Sequence, residues 1–240
     1  MLYGNVVILD ECGSTNVEAA GHGYHHGDAV IAIRQTAGRG QRGHNWCSEP
    51  GENLTFSIVL EPKFPVEQYF LLSEVIALGV VDTLEFYGID ARIKWTNDIY
   101  VGDSKICGML IENTMADNLI TYSVSGIGLN VNQTVFPEWI PNPCSMRSVT
   151  DCKYRVMDVF SLLYNKIAIR YEMLGRGDQA NIREAYNKLL YRKGCESRFF
   201  IPNEGEVSGT IEGVSDDGRL RVEIGGRVRE FLFGQIEFII

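Results

Sequence analysis

The 240-residue chain has no run of about 20 consecutive apolar residues, the length that a membrane-spanning helix needs. Its most apolar stretch, Phe70 to Val81, is interrupted by Glu74. The first residues carry neither a basic segment nor a small-residue cleavage site, so they do not read as a secretion signal. Positive charge is in short supply: 22 basic residues face 31 acidic ones, a net charge of −9. That balance argues against a general nucleic-acid or anionic-membrane binder, because phosphate contacts need clustered Lys and Arg. The six cysteines contain no CxxC pair, and free thiols in a reducing cytoplasm suit them best. Neither the P-loop pattern nor the dinucleotide GxGxxG in a strand–helix setting occurs. His22, His25, His26 and His44 lack the spacing of a helical HExxH, and a solvated loop is their simplest reading.

What is present is alternation of β-type and helix-type segments. Val6–Leu9, Ala29–Ile33 and Leu54–Leu60 are β-branched or apolar runs bounded by turn residues. Ser14, Thr15 and Asn16 are N-cap residue types ahead of a short helical stretch. Pro65 suits the first turn of a helix reaching about Tyr87. On it Glu67, Glu74 and Glu85 fall near one face, which reads as solvated, while apolar residues cover the rest. Ile93–Trp95, Ile99–Val101, Ile106–Glu112 and Tyr122–Ile127 read as strands. Arg155–Leu174 and a shorter stretch over Ile182–Leu190 have helical spacing. After Gly194 the texture becomes short β-runs separated by tight-turn residues. The spacing predicts a small all-β unit there and a boundary near 194.

Three segments could carry chemistry. Gln35-Thr36-Ala37-Gly38-Arg39-Gly40-Gln41-Arg42-Gly43 follows a predicted strand. Its glycines let backbone approach a ligand, and its arginines offer fixed charge to carboxylate or phosphate. A flexible surface loop is the plain alternative. Lys94-Trp95-Thr96-Asn97-Asp98 with Lys105 and Gly108 puts lysines in a strand setting beside a turn. Lys105 could neutralise an attacking carboxylate and a phosphate, and Asp98 could take a proton from an incoming amine. A hairpin with a solvated Lys and a turn-capping Asp is the alternative. Gly126-Ile127-Gly128-Leu129-Asn130-Val131-Asn132 could line a pocket or simply end a strand.

Taken in order, Ser14-Thr15-Asn16, the loop from Gln35 to Gly43 with Trp46, Lys94 to Asp98, Lys105 with Gly108, and Gly126 to Asn130 resemble the biotin protein ligases. Five motifs in one order are far more specific than any of them alone, and the β-rich tail is similar to that family's C-terminal domain. The resemblance implies an α+β fold. A mixed-sheet, biotin/lipoate-ligase-like catalytic domain over 1–193 is followed by a small SH3-like β-barrel over 194–240.

It also implies the reaction. Biotin and ATP, with Mg²⁺, give biotinyl-5′-AMP, and a lysine of a biotin carboxyl carrier protein then displaces AMP. The catalytic residues implied are Lys105, Arg39 and Asp98. The residues implied to bind biotin or the adenylate are Ser14, Thr15, Asn16, Gln35, Gly38, Arg39, Gly40, Gln41, Trp46, Lys105, Gly108 and Asn130. Many members have Arg where this chain has Gln41, so Gln41 is expected as a contact rather than a charge, with Arg42 able to take over. The glycine-rich loop is expected to be mobile when empty and to fold over the intermediate.

The first strand begins within ten residues of the start, so the expectation is a ligase with no DNA-binding repressor unit and no nucleic-acid or membrane partner. The location expected is cytoplasmic, with a homodimer through a sheet edge as an option. A lipoate or octanoate ligase shares the fold but usually has an arginine-led run of three glycines, which is missing here. A catalytically silent biotin or adenylate sensor is the reading from another class.

Overall fold

A computed structural model of the chain describes residues 2–21 and 23–240, with the backbone alone at Arg42. His22 and the Arg42 side chain, both considered above, lie outside the described residues. The runs Val6–Cys12 (β1) and Ala29–Gln35 (β2) pair in parallel, Val6 opposite Ala29 and Cys12 opposite Gln35. Parallel neighbours need a crossover, and this one contains the short helix Thr15–Ala19 (α1). The further pairings between strands of this sheet are antiparallel. They add Leu54–Leu60 (β3), Phe64–Pro65 (β4), Arg92–Lys94 (β5), Asp98–Val101 (β6), Ser104–Ala116 (β7) and Leu119–Leu129 (β8). The resulting mixed sheet runs β1-β2-β3-β8-β7-β6-β5, with β4 beside β8.

Side chains alternate across a strand, and β3 shows what each face does. Phe56, Ile58 and Leu60 join the main core. That core also contains residues of the helices Phe70–Phe86 (α2), Val156–Gly175 (α4) and Gln179–Lys188 (α5). Thr55, Ser57 and Val59 point the other way. There Val59 joins Val30, Val124 and Ala19 of α1 in a small second cluster. On this second face β8 presents Val124, Gly126 and Gly128, so the sheet surface beside α1 is polar and shallow. The site lies on that face.

Two expectations about α2 change. Pro65 pairs with Leu119 in β4, a 3-10 turn follows at Val66–Gln68, and the helix proper starts at Phe70. Glu74, expected on a solvated face, is only 2% exposed. The physical reason is a third layer that helix periodicity does not reveal. Tyr186 and Arg183 of α5, with Asp216 ion-paired to Arg183 at 3.3 Å, cover that side of α2. Burial pushes the Glu74 carboxyl up to about 8, Asp216 adds to the effect, and Arg183 opposes it. A short helix, Met146–Thr150 (α3), capped by reciprocal Ser145 and Ser148 bonds, was not anticipated.

From Glu196 the chain forms a five-stranded antiparallel sheet, which is the expected SH3-like unit. Its strands are Glu196–Ile201 (β9), Gly205–Val214 (β10), Leu220–Ile224 (β11), Arg227–Phe231 (β12) and Glu237–Phe238 (β13), in the order β12-β11-β10-β9-β13. Phe199, Ile211, Leu220 and Phe231 from this sheet share one core with α2 and α5. Gly218 makes the closest join. Its φ of +83° places its carbonyl to accept the Trp95 indole N–H at 2.9 Å, and a Cβ there would strike Phe70 at 2.6 Å. No helix among the described residues is long and apolar enough to cross a membrane.

Candidate active site

Ser14, Thr15 and Asn16 are 5%, 4% and 3% exposed, unusual burial for polar residues at a helix start. Ser14 occupies the N-cap position but its side chain makes no capping bond, which leaves the hydroxyl free for another partner. The Thr15 N–H donates to Gln35 Oε1 at 2.7 Å, tying the end of β2 to α1. Ser57 donates to Asn16 Oδ1 at 2.6 Å and lies 2.8 Å from Thr15 Oγ1. Asn16 Nδ2 donates to Glu112 Oε2 at 2.8 Å and to the Leu110 carbonyl at 3.1 Å. Buried polar groups are paired in native folds because an orphan costs about 1–3 kcal/mol. This network therefore fixes which way Asn16 and Thr15 face.

The glycines of β7 and β8 are seats for side chains. A Cβ on Gly126 would lie 2.1 Å from Asn16 Oδ1, and one on Gly128 would lie 2.3 Å from Trp46 Cε2. Gly108 similarly faces Trp46 and Lys105 Nζ. The loop after β2 turns back on itself. Gly40 N–H donates to the His44 carbonyl at 2.7 Å, Trp46 N–H donates to the Gly38 carbonyl at 2.9 Å, and a 3-10 turn spans Gln41–Gly43. Arg39 meets Glu112 at 3.0 Å. Glu112 thus holds Asn16 with one carboxylate oxygen and Arg39 with the other.

Lys105 and Asp98 sit on adjacent strands with Nζ and Oδ1 2.7 Å apart and side chains 31% and 18% exposed. Asn97 is pinned by its Nδ2 bond to the Met109 carbonyl at 2.6 Å. Burial raises the Tyr100 hydroxyl, with Asp98 adding, and lowers the Lys94 ammonium, against the pull of Asp98.

These parts enclose one cleft of about 300 Å³. Of the residues singled out in the sequence, Ser14, Thr15, Asn16, Gln35, Arg39, Gly40, Gln41, Trp46, Asp98, Lys105 and Gly108 line it. Gly38 and Asn130 do not. Gly38 instead accepts the Trp46 N–H, and a Cβ there would strike the Trp46 carbonyl at 2.4 Å. Asn130 is buried, donates to the Cys144 carbonyl at 2.9 Å and receives the Met146 N–H, so it anchors the start of α3. Among the described residues Gln41 Oε1 and Trp46 Nε1 are buried without a partner, both at the cleft. His26 Nδ1 accepts the Glu61 N–H at 3.0 Å, away from the cleft. No cluster of three metal-ligating side chains occurs among the described residues.

Motif reading missed Ser57 and Glu112, although a lone Ser and Thr in the otherwise apolar β3 marked that face. It also missed Phe233, Gly234, Ile236 and Glu237, whereas Lys94, singled out only as part of its motif, lines the cleft as well. These four come from the C-terminal unit, Glu237 on its last strand and the others on the turn before it, and no local pattern relates them to a loop nearly 200 residues earlier. Chemically the cleft is polar and uncharged at the Thr15–Gln35 end and cationic at Arg39 and Lys105. That suits a neutral polar ring carrying an anionic tail.

Two family models match the chain: the Biotin/lipoate A/B protein ligase family over residues 14–130, and the Biotin protein ligase C terminal domain over 201–239. The bifunctional ligase/repressor BirA of Bacillus subtilis is 35% identical over 234 residues, covering 96% of this chain and 72% of that protein. The biotin--[acetyl-CoA-carboxylase] ligase of Paracoccus denitrificans is 31% identical, covering 89% and 92%. Among solved structures, the biotin protein ligase of Aquifex aeolicus in complex with biotin and ATP superposes with a TM-score of 0.83 at 27% identity, over 98% of each chain. Fold, cleft and relatives agree, and the chain belongs to the biotin protein ligase family.

Proposed function

We propose that this chain is an ATP-dependent ligase that activates biotin as biotinyl-5′-AMP and transfers it to a lysine of a biotin carboxyl carrier protein. The observation that carries the reading is the single cleft in which a polar cluster, buried Thr15 with half-buried Gln35, lies within reach of Arg39 and the Lys105–Asp98 pair. The biotin ureido ring is neutral with donors and acceptors on one edge, and the polar cluster supplies both. Leu110, beside Gly126 on the site face of the sheet, supplies apolar wall for the valeryl chain. In the first step a carboxylate oxygen bonds to the α-phosphorus while the bond to pyrophosphate breaks. Two anions must meet, so fixed cations aimed at the developing charge lower the barrier. Lys105 bridges carboxylate and α-phosphate, and Arg39 adds charge from the loop. Mg²⁺ enters as part of the nucleotide substrate, bound mainly through phosphates and water, and so needs no protein cage.

In the second step the carrier lysine loses a proton, its nitrogen bonds to the acyl carbon, and the bond to AMP breaks. Asp98 is assigned to orient that amine and accept its proton once Lys105 turns to the phosphate. The loop over Gly38–His44 excludes water from the mixed anhydride. We assign residues 1–193 as the catalytic domain and 194–240 as a C-terminal domain that completes the cleft through Phe233, Gly234, Ile236 and Glu237. With a net charge of −9 on these residues, no DNA-binding role is proposed for them. The test is pyrophosphate release measured with biotin and, separately, lipoate. Release with biotin supports the reading, whereas release with lipoate alone moves the chain to the sister activity.

A further inference from the structure

Lys94 belongs to a motif noticed in the sequence, yet the reaction above gives it no task. It sits directly opposite Asp98 in the β5–β6 pair and lines the cleft. Asp98 is therefore flanked by two lysines, but only Lys105 pairs with it. No carboxylate lies within 4.0 Å of the Lys94 ammonium among the described residues, and no hydrogen-bond acceptor reaches it. What it does meet is aromatic. Its Nζ is 4.9 Å from the centre of the Tyr100 ring and 5.2 Å from that of Phe238. Tyr100 belongs to the main sheet and Phe238 to the C-terminal one.

Ring faces attract a cation but accept none of its N–H bonds properly. A partly buried ammonium with three unspent donors, opening on a cleft where Lys105 and Arg39 already have carboxylate partners and only the longer-range pull of Asp98 and Glu237 favours its own charge, is arranged for an external anion. The α-phosphate is served by Lys105 and Arg39 in the proposed reaction. The remaining anionic group of the same substrate is the polyphosphate tail, which also carries the charge that develops on the leaving group.

We propose that Lys94 binds the polyphosphate tail of the nucleotide, the part that leaves as pyrophosphate, and that Phe238 of the C-terminal sheet holds Lys94 in place for it. This rests on the ligase reading for the identity of the nucleotide. Lys94 is then a binding residue and Phe238 a positioning residue. The C-terminal sheet contributes to catalysis through a ring that never touches the substrate.

The experiment measures pyrophosphate release with ATP and biotin varied separately in the full chain, for the wild type, Lys94→Gln, Lys94→Arg and Phe238→Leu. Charge-assisted contacts of this kind correspond to roughly 10- to 100-fold in affinity. Lys94→Gln is expected to raise the KM for ATP by about that factor and to weaken inhibition by added pyrophosphate in parallel. Biotin affinity should stay within about twofold, which also reports that the variant is folded. Lys94→Arg should recover most of the loss, since Arg keeps the charge and stacks on rings. Phe238→Leu should move the KM for ATP in the same direction by less. Transfer from preformed biotinyl-5′-adenylate to hydroxylamine bypasses the tail and should not show the loss. An unchanged KM for ATP in a biotin-binding Lys94→Gln protein, or an equal loss in the bypass reaction, overturns the proposal. Direct calorimetric titration of pyrophosphate into the wild type and Lys94→Gln separates this from the ligase reading. If the wild type turns over no biotin yet binds pyrophosphate through Lys94, the ligase reading fails and the anion site stands. If neither protein binds pyrophosphate differently, the site fails.

Discussion

Lys105 Nζ and Asp98 Oδ1 lie 2.7 Å apart at the floor of the cleft, on neighbouring strands whose backbones pair Asp98 with Gly108. Each charge supports the other in a place where neither is fully solvated, and the absence of a side chain at Gly108 gives Lys105 room to reach across. Lys105→Ala is expected to lower adenylate formation by about 10²–10³-fold, the usual cost of removing a charge-stabilising donor from an active site. Asp98→Asn should spare adenylate formation relative to transfer. Quenched-flow measurement of both half-reactions checks this. An Asp98→Asn enzyme that forms and transfers adenylate at the wild-type rate contradicts the role given to Asp98.

Glycine on β8 is a steric requirement of the site. Gly126→Ala would press a methyl group onto Asn16, which Ser57, Glu112 and the Leu110 carbonyl hold fast. Gly128→Ala would displace the Trp46 indole. Overpacking of this kind costs about 1–3 kcal/mol. Both variants are expected to weaken biotin binding about tenfold or more, by the same free-energy scale. Isothermal titration with biotin reads the effect, and unaltered affinity in both would remove these seats from the account.

Glu74 makes stability depend on pH. Its carboxyl rises from an ordinary 4.5 to about 8, chiefly through burial. Below 4.5 the folded and unfolded chains both keep the proton and burial carries no ionisation penalty. Between 4.5 and about 8 the unfolded chain ionises while the folded one does not, so this group lowers stability as pH rises. Above that window the penalty is complete, on the order of 5 kcal/mol at most. Glu74→Gln should flatten the fall in Tm between about pH 5 and about pH 9, by several degrees. Identical pH profiles for the two proteins would show that Glu74 is not the group concerned.

Arg39 and Glu112 are half-exposed, so their ion pair is worth no more than about 1 kcal/mol. A latch that weak can be exchanged for a ligand at little cost. Biotin with ATP is therefore expected to slow trypsin cleavage within Gly38–His44 severalfold. Cleavage at the same rate with and without both ligands would mean that the loop does not close over the intermediate.

Where local pattern decided the outcome, the sequence was legible. The β-branched runs at 29–33 and 54–60 became β2 and β3, and the turn-separated runs after 194 became the second sheet. The loop motifs around Gln35–Gly43 and Lys94–Asp98 converge because β2, β5 and β6 are strands of one sheet. What escaped was set by layers stacked from distant segments. Glu74 looks solvated on a helical wheel until α5 is laid over it. Asn130 sits within a motif beside Gly126 and Gly128, yet it lies one residue past the end of β8 at Leu129 and turns inward to anchor α3. Phe233 to Glu237 reach the cleft through tertiary folding alone.

Mass spectrometry of the purified chain after incubation with biotin, ATP and Mg²⁺, followed by addition of a carrier-domain lysine acceptor, decides whether the protein makes the adenylate and transfers it. Biotinyl-5′-adenylate retained by the protein, pyrophosphate released in proportion, and a biotin-sized mass gain on the acceptor with loss of AMP are the expected results. Biotin bound with no adenylate formed, or adenylate formed only from lipoate, would contradict the ligase reading.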